Sequence, residues 1–300
     1  MKRFAGEESS SPQLLSIVIP ALNAEDTICE QFEALRNQNY DGDWEIILVN
    51  NGSTDRTVEI VEHYQQLMPN LRLVHALKAR RRTYAYNEGS RAARGTALIF
   101  CDADDIVAPG WLNAIAEALK VHNFVAGALD LETLNHSAPW RPPPSTGGGK
   151  KMMGFLPFVM TCNLAVSKEN FDAVGGFTEE LPSGGDADLS WRLQLSGCQI
   201  YDASDAVVYY RYRTTLRGLW KQHVRFGYAN PLLYRRFAPY GLPESSVRKA
   251  FRMYKKILKK MPIIFFSRNV DQQEKALWIC QAGSRVGRLL GSIRYRTLYL

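Results

Sequence analysis

The chain has 300 residues, of which 46% are hydrophobic and 22% are charged. This composition supports a buried core and excludes a disordered, collagen-like or small disulfide-stapled protein. The five cysteines are scattered and lack CxxC spacing, so we expect reduced thiols and neither a zinc site nor a disulfide framework. No apolar run has the length of a membrane span and the first residues lack a signal peptide, which predicts a cytoplasmic location.

The formal net charge of +7 is distributed unevenly along the chain. Residues 211–300 contain 20 Lys and Arg but only three acidic residues, a net charge of +17, whereas residues 1–210 contain 17 basic and 27 acidic residues, a net charge of −10. This difference predicts that the two parts contact different partners. We therefore predict a flexible tail (residues 1–13), a main domain (residues 14–210) and a basic, helical C-terminal region (residues 211–300).

Short β-branched runs alternate with helical patterns in the first half of the chain. Strands are predicted at Leu14–Pro20, Trp44–Asn50, Leu71–His75 and Ala92–Cys101, and helices at Asn23–Asn37, Arg56–Met68 and Pro109–Val121. The alternation predicts right-handed crossovers and an α/β fold, in which a mainly parallel, Rossmann-like sheet is flanked by helices.

The second half begins with Pro139–Lys151, whose prolines and glycines predict a loop. The apolar run Phe155–Val166 is predicted to be a strand, Asp188–Ser196 a helix, and Gln199–Tyr212 one or two final strands. From Leu216 onward the pattern becomes helical and basic.

Polar residues follow three of the predicted strands directly. They are Pro20–Asp26, Asn50–Asp55 and Cys101–Asp105. In an open parallel sheet, ligands bind outside the carboxyl ends of the strands, so three polar clusters at one edge predict a binding site there.

The third cluster, DADD, places Asp102 and Asp104 one residue apart at a strand end. Paired carboxylates of this kind suit Mg²⁺ or Mn²⁺ shared with a phosphate. The alternative is that Asp104 or Asp105 caps the following helix. Capping is the favoured interpretation for Asp105, but it accounts for only one member of the Asp102 and Asp104 pair.

Four stretches together resemble the inverting, nucleotide-sugar-dependent glycosyltransferases of family 2. SIVIPALNAEDTI is similar to that family's first strand and loop, EIILVNNGSTDRT to its second strand and nucleoside-contacting turn, and ALIFCDADD to its D-x-D element. CNLAVSKENFDAVGGFTEELPSGGDADLSWRL is similar to its later stretch with a G-G-F turn and an acidic pair. The resemblance runs from Ser16 to Arg192 and implies the family's A-type nucleotide-sugar fold, with residues 14–210 as the catalytic domain.

The resemblance implies a donor site at the ends of the first, second and fourth strands. In this site, Pro20, Ala21 and Asn23 would border the base and ribose, and Asn51 would contact the base edge. Asp102 would touch the ribose or the metal. Asp104 would be the principal ligand of Mg²⁺ or Mn²⁺. The family usually has aspartates where this chain has Asn50 and Asn51. An amide oxygen still accepts a hydrogen bond from N3–H of uracil or thymine, and a UDP-sugar is the favoured donor.

The resemblance also implies a catalytic base, which Asp186 in GGDAD matches. Gly185 stands where the family commonly has an acidic residue, which leaves Asp188 as the second candidate. The alternative is that GGDAD is only a turn whose aspartates cap the next helix.

The implied reaction is a single displacement that inverts the anomeric centre. A metal ion would neutralise the leaving diphosphate, and Asp186 would take the proton of an acceptor hydroxyl on a glycan or lipid-linked molecule. One alternative is a nucleotidyltransferase acting on sugar phosphates, although PALNAED has no glycine-rich phosphate loop. Another is a catalytically inactive, membrane-associated protein of the same fold, against which Asp102, Asp104 and Asp186 argue.

Several other polar residues have two interpretations. Arg80, within the basic run Lys78–Arg82, is predicted to clamp the donor diphosphate, although some members of the run would simply be solvated. His223 is a further candidate metal ligand from the C-terminal region, but packing against a neighbour is the favoured interpretation. Asn163 either lines the acceptor side or satisfies backbone groups in a turn.

The segment Val247–Met261 is predicted to be a helix with one apolar and one cationic face, followed directly by PIIFF. This pattern is typical of an element lying on an anionic membrane surface, and equally of a helix packed on the main domain. No nucleic-acid-binding module accompanies the charge, so we expect no nucleic-acid partner. Gly283, Gly287 and Gly291 recur every four residues and predict tight helix packing.

Overall fold

The computed structural model describes residues 14–136, 138, 140, 151–267 and 270–300. The predicted tail (residues 1–13) and residues 141–150 of the predicted loop lie outside the described residues.

The predicted strands and helices of the first half are present, with shorter helices, but the strand predicted at Ala92–Cys101 is limited to Ala97–Phe100. A helix at Arg82–Ala92 and strands at Ile106–Val107 and Phe124–Asp130 were not predicted. The elements are β1 (Leu15–Ala21), α1 (Ile28–Arg36), β2 (Trp44–Asn50), α2 (Thr57–Leu67), β3 (Leu71–His75), α3 (Arg82–Ala92), β4 (Ala97–Phe100), β5 (Ile106–Val107), α4 (Trp111–Leu119) and β6 (Phe124–Asp130).

The second half contains two more strands and five helices longer than one turn among the described residues. They are β7 (Leu164–Ser167), α5 (Lys168–Ala173), α6 (Gly185–Leu195), β8 (Tyr201–Tyr209), α7 (Leu216–Phe237), α8 (Val247–Phe266) and α9 (Gln272–Arg294). None of the described helices combines the length and apolar character needed to cross a membrane.

The eight strands form one sheet in the order β3-β2-β1-β4-β7-β6-β8-β5. The first four are parallel neighbours, and β8 is parallel to β6. β7 runs antiparallel to both β4 and β6, and β5 runs antiparallel to β8. The sheet is therefore mixed, with a parallel half that carries the three polar clusters on one edge.

The alternation of side chains along β1 and β2 explains why both faces of the sheet are covered. Leu15, Ile17 and Ile19 belong to one buried cluster with α1, α2 and α4, whereas Val18 and Ile47 belong to a second with α3 and α6. Successive residues of a strand point to opposite faces, so a continuous apolar strand requires a helical layer on each side.

The prediction of a strand over Phe155–Val166 is wrong for most of its length. Only Leu164–Ser167 forms a strand, and a 3₁₀ turn at Thr161–Asn163 precedes it. The earlier apolar residues pack against a cluster that contains Trp191 of α6 and Phe237 of α7. Their hydrophobicity reflects contact with these helices, because an apolar run alone does not distinguish a strand from a packed loop.

The glycine repeat of the C-terminal region lies where α9 crosses α7. A Cβ added to Gly287 would lie 2.1 Å from the carbonyl oxygen of Val224, and one added to Gly227 would lie 2.0 Å from that of Ser284. No larger residue fits at this distance, so the two helices approach closely only because these positions are glycines. The prediction of tight packing is confirmed.

Candidate active site

Three carboxylates meet in the turn after β4. Asp102, Asp104 and Asp105 each offer an oxygen within 4.8 Å of the others. Gln31 of α1 holds this turn from behind, because its amide accepts a hydrogen bond from the Val107 N–H (3.0 Å) and donates one to the carbonyl of Asp102 (3.4 Å). The strand end predicted from DADD is therefore a concentrated patch of negative charge.

The three aspartates have different environments. Asp105 is 1% exposed; its Oδ1 accepts a hydrogen bond from the Arg211 N–H (2.8 Å), and its buried Oδ2 accepts none from the described residues. Burial, together with the charges of Asp102 and Asp104, raises the pKa of Asp105 well above its usual value. Asp105 does not cap the next helix, since α4 begins after Gly110 without a side-chain cap.

A hard cation fits this donor set. Carboxylate oxygens are the ligands that Mg²⁺ and Mn²⁺ prefer, and Asp105 Oδ2 is a buried acceptor that lacks a donor in the described residues. The nearby thiols of Cys101 and Cys162 are buried, and burial raises their pKa well above the usual range, so they do not compete as thiolate ligands.

Arginine side chains surround the carboxylates. Arg82, the first residue of α3, donates to Asp102 Oδ2 at 3.0 Å, and Tyr86 one turn later donates to Asp102 Oδ1 at 2.7 Å. Arg213 donates to Asp104 Oδ2 at 3.2 Å. Burial, and then the charges of Arg82 and Arg213, lower the pKa of Arg225, whose Nη2 donates to the carbonyl of Pro182 at 3.3 Å.

The loops after β1 and β2 are fastened to each other by hydrogen bonds. The Asn23 N–H donates to Ser53 Oγ (3.1 Å), and Asn23 Oδ1 accepts from the Thr54 N–H (2.9 Å). Asn23 has a φ of +54°, a left-handed conformation that asparagine tolerates better than most residues. Pro20 and Ala21 end β1 beside Val49 and Asn50, so the residues predicted to border the nucleoside share one rim.

Asn50 and Asn51 have different roles in this rim. Asn50 Oδ1 accepts hydrogen bonds from the Gly52 and Ser53 N–H groups, which closes the turn after β2. Asn51 Nδ2 donates to the carbonyls of Ala76 and Ala79, both at 2.7 Å. Both N–H groups of the Asn51 amide are thereby used, and its oxygen is oriented as an acceptor.

Arg80 lies at the same rim but away from the carboxylates. It is exposed, and its Nη2 donates to the carbonyl of Gly52 at 3.2 Å. Gly52 has a φ of +87°, which an L-residue rarely adopts. In the described structure Arg82, not Arg80, contacts the acidic cluster.

Asp186 occupies the first turn of α6 and is partly exposed. Burial raises the pKa of Asp186. The hydrogen bond from the Ala187 N–H and the charge of Arg82 offset part of this increase. Asp186 Oδ1 accepts a hydrogen bond from the Ala187 N–H in the first turn at 2.9 Å, whereas the N-cap residue Gly184 supplies no side-chain cap. The preceding residue is a glycine for a steric reason, because a Cβ on Gly185 would lie 2.7 Å from Cγ2 of Thr83.

Asp188 is a structural residue. It is fully buried, and its Oδ2 accepts hydrogen bonds from Arg192 Nη2 (2.6 Å) and the Thr178 hydroxyl (2.8 Å). Its Oδ1 forms an ion pair with Arg236 Nε of α7 at 3.1 Å. Through this ion pair, which lacks hydrogen-bond geometry, Asp188 joins α6 to α7.

Asn163 and His223 lie in packed environments. The Asn163 side chain is buried, accepts from Trp111 Nε1 (2.9 Å) and donates to the carbonyls of Ala128 and Ala206 (both 2.8 Å), so it satisfies backbone groups. His223 lies on α7, contacts the ring of Phe226 and packs against Gly283 of α9. In the described part of the chain, the group of candidate metal ligands contains the three aspartates and does not include His223.

A family model described as "Glycosyl transferase family 2" matches residues 16–175, which is more than half of the chain. The chain belongs to this family. The match includes the loops after β1 and β2 and the acidic turn after β4, and it ends before Asp186.

Curated relatives are matched over different lengths. The uncharacterized glycosyltransferase YibD of Escherichia coli (strain K12) is 40% identical over 100 residues, which is 33% of this chain and 28% of that protein. The chain thus spans about a third or less of the length of several bacterial relatives. The dolichyl N-acetyl-α-D-glucosaminyl phosphate 3-β-D-2,3-diacetamido-2,3-dideoxy-β-D-glucuronosyltransferase of Methanococcus voltae is 24% identical over 239 residues, 74% of each chain.

Two solved structures share the fold over nearly the whole chain. The mannosyltransferase PcManGT of Pyrobaculum calidifontis, solved with GDP-Man and Mn²⁺, has a TM-score of 0.64 at 16% identity and covers 96% of this chain and 89% of its own. TarS 1–349 of S. aureus, solved with UDP, has a TM-score of 0.55 at 18% identity and covers 95% and 93%. The fold is therefore that of nucleotide-sugar glycosyltransferases.

Sequence reasoning gave too little weight to the arginines that contact the acidic turn. Arg82 was only one member of a basic run, and Arg211 and Arg213 fell in the region assigned to the C-terminal helices. A signal was present, because Tyr210–Arg213 directly follows β8, a strand parallel to β6. The rule that polar residues after parallel strands face the ligand applies to this run as well.

Proposed function

We propose that this protein transfers a sugar from a nucleoside-diphosphate donor to an acceptor hydroxyl with inversion of the anomeric centre. The observation that carries the proposal is the meeting of three carboxylate oxygens within 4.8 Å, with Arg82 and Arg213 in contact with them. A site of this kind offers two sources of positive charge for a diphosphate leaving group. The carboxylates hold a cation, and the guanidinium groups donate hydrogen bonds.

Asp102 and Asp104, with Asp105 behind them, would hold Mg²⁺ or Mn²⁺. When bound, the ion supplies charge neutralisation for the departing diphosphate. PcManGT, which shares the fold, is solved with Mn²⁺, and this supports the assignment. Arg82, Arg213 and Arg225 would bind phosphate oxygens directly, since guanidinium groups pair with them in bidentate geometry.

The base would be recognised by Asn51. Its oxygen can accept from a ring N–H, which uracil, thymine and guanine present at the corresponding edge and which adenine and cytosine lack there. Among these we favour uridine, because TarS, a protein of the same fold, is solved with UDP. Pro20, Ala21 and Asn23 would border the base and ribose, and Arg80 would close the rim over Gly52.

Asp186 would act as the general base. Its raised pKa makes the carboxylate a stronger proton acceptor, while its exposed portion can meet an acceptor hydroxyl. The hydroxyl proton moves to the Asp186 carboxylate as the oxygen attacks the anomeric carbon. The bond from that carbon to the diphosphate breaks, and the diphosphate leaves with the electron pair. The acceptor class, a glycan or a lipid-linked molecule, is part of the proposal.

Family membership favours this reaction over a nucleotidyltransferase. The alternative of an inactive protein conflicts with the presence of the three-carboxylate cluster and of a partly exposed Asp186.

The test is donor hydrolysis with a panel of UDP-, dTDP- and GDP-sugars, with Mn²⁺, with Mg²⁺ and with a chelator. We expect cleavage of a UDP-sugar that stops when the metal is removed. Cleavage that continues with the chelator would contradict the metal assignment, and cleavage of a GDP-sugar alone would contradict the uridine assignment.

A further inference from the structure

The last two helices carry an apolar surface that lies open. On α8, Val247, Phe251, Leu258 and Phe265 are between 54% and 71% exposed. Their spacings of four, seven and seven residues place them in one strip along the helix.

This strip is distinct from the face of α8 that packs. Ala250, Ile257 and Ile264 are spaced by seven residues and are buried. On the same side, the Tyr254 hydroxyl donates to the carbonyl of Arg285, and Trp278 Nε1 donates to that of Ile257. α8 therefore already uses one apolar face on α9 and presents a second one.

The contacts between α8 and α9 show on which side of this helix pair the apolar strip of α8 lies. Phe265 contacts the ring of Trp278 with centroids 5.4 Å apart. Lys260, about 140° around the helix from Phe265, pairs with Glu274 at 3.2 Å and marks the opposite edge.

On α9, Leu289 lies three turns after Trp278 and shares its side of the helix. The adjoining turns carry further exposed apolar residues, which are Val286, Leu290 and Ile293. The apolar surface thus extends over both helices on the Phe265 side.

The side of α8 that faces away from α9 is cationic. The helix contains seven basic residues and no acidic one, and these are Arg248, Lys249, Arg252, Lys255, Lys256, Lys259 and Lys260. Across the described ranges, Lys260 alone among them forms an ion pair. The apolar strip is therefore bordered by positive charge that no carboxylate of the described chain neutralises.

We propose that this surface, formed by the apolar strip of α8 and α9 and the cationic side of α8, docks on an anionic lipid bilayer. The apolar residues would enter the headgroup boundary while the lysines meet the lipid phosphates, which is how an amphipathic helix lies in the plane of a membrane. The proposal rests on this surface alone and does not depend on the transfer reaction.

Two other occupants fit the surface less well. A second copy of the chain in a two-fold arrangement would place the same cationic sides next to each other, and the repulsion would oppose the contact. A nucleic-acid backbone would use the lysines but would leave the apolar strip in water.

Co-sedimentation with phosphatidylglycerol-containing vesicles at low ionic strength tests the proposal, with phosphatidylcholine vesicles for comparison. We expect binding to the anionic vesicles only, and release when salt shortens the Debye length to about 8 Å or less. Lys255→Gln with Lys256→Gln and Lys259→Gln should weaken binding at least about tenfold. Phe251→Ser with Leu258→Ser should weaken it while the lysines remain.

The matched control is Arg36→Gln with Lys120→Gln and Lys168→Gln, which removes the same charge from α1, α4 and α5. This control should bind vesicles like the wild type, and donor hydrolysis by all variants should be unchanged. The proposal would be overturned if the wild type did not bind anionic vesicles, or if the control lost as much vesicle binding as the lysine variant. It would also be overturned by a dimer in size-exclusion chromatography that depends on Phe251. Because Phe251 and Leu258 are exposed, their variants should retain the wild-type circular dichroism spectrum.

Discussion

The rim formed by the loops after β1 and β2 and the acidic turn after β4 lie on the same edge of the sheet but are built in different ways. The rim is held by side-chain to backbone hydrogen bonds: Asn23 joins the loops after β1 and β2, Asn50 closes the turn after β2, and Asn51 bonds to the segment after β3. The acidic turn is held by partners that are far apart in the chain, with Arg82 some twenty residues before it and Arg213 more than a hundred after it. The rim is a preformed surface, whereas the turn balances strong opposing charges that a bound ion and diphosphate would rearrange.

The largest effect should follow from Asp104→Asn. The amide keeps the shape of the side chain but removes a charge from the carboxylate cluster, so metal-dependent donor binding should be lost. Titration calorimetry with a UDP-sugar, with and without Mn²⁺, measures this.

The rim is untouched by the substitution, and weak, metal-independent nucleoside binding should remain. Donor binding with unchanged metal dependence would show that Asp104 is not a ligand.

The second largest effect concerns Asp186→Asn. Its amide cannot accept the hydroxyl proton, so transfer should fall by about two orders of magnitude or more, the usual effect of removing a general base. Donor affinity should stay within a few-fold of the wild type in the same calorimetric titration. Near-normal transfer would move the base to another group.

Asp188→Asn should show the opposite behaviour although it lies only two residues away. It leaves Arg192 and Arg236 facing a neutral amide, and breaking a buried ion pair in this way should lower the free energy of unfolding by about 3 kcal/mol. Urea unfolding measures it, with Asp186→Asn as the control of equal charge. Equal stability of the two variants would contradict the structural role of Asp188.

These two aspartates also show what the sequence could predict. The strand ends and the D-x-D turn follow from local patterns, because a strand and its turn are adjacent in the chain. The choice of Asp186 came instead from the family resemblance. Asp188 pairs with Arg192 one turn later in the same helix, but its second partner, Arg236, is nearly fifty residues away, and no local pattern connects those two residues. The same reason explains why Arg82, Arg211 and Arg213 were not ranked above Arg80.

The apolar run Phe155–Val166 was misjudged for a related reason. Phe155, Leu156 and Phe158 pack in the cluster of Trp191 and Phe237, so their environment is set by α6 and α7 and not by strand pairing. Gly185 departs from the family pattern, and the structure supplies the reason. A side chain at this position would clash with Thr83.

The smallest effect should follow from Asn51→Ala, which tests the rim. The substitution removes the oxygen that we assign to the base and also two hydrogen bonds, to the carbonyls of Ala76 and Ala79, that orient it. One lost hydrogen bond to the ligand contributes about 1 kcal/mol, so affinity for UDP should fall about fivefold to tenfold. Thr57→Ser keeps the hydroxyl that accepts from the Ala24 N–H and serves as a conservative control in the same pair of loops. Calorimetry with UDP and with CDP separates two explanations of a loss in affinity.

If Asn51 accepts from N3–H, the variant should lose affinity for UDP while its weak affinity for CDP stays the same. An equal loss for both nucleotides would mean that Asn51 shapes the rim without contacting the base.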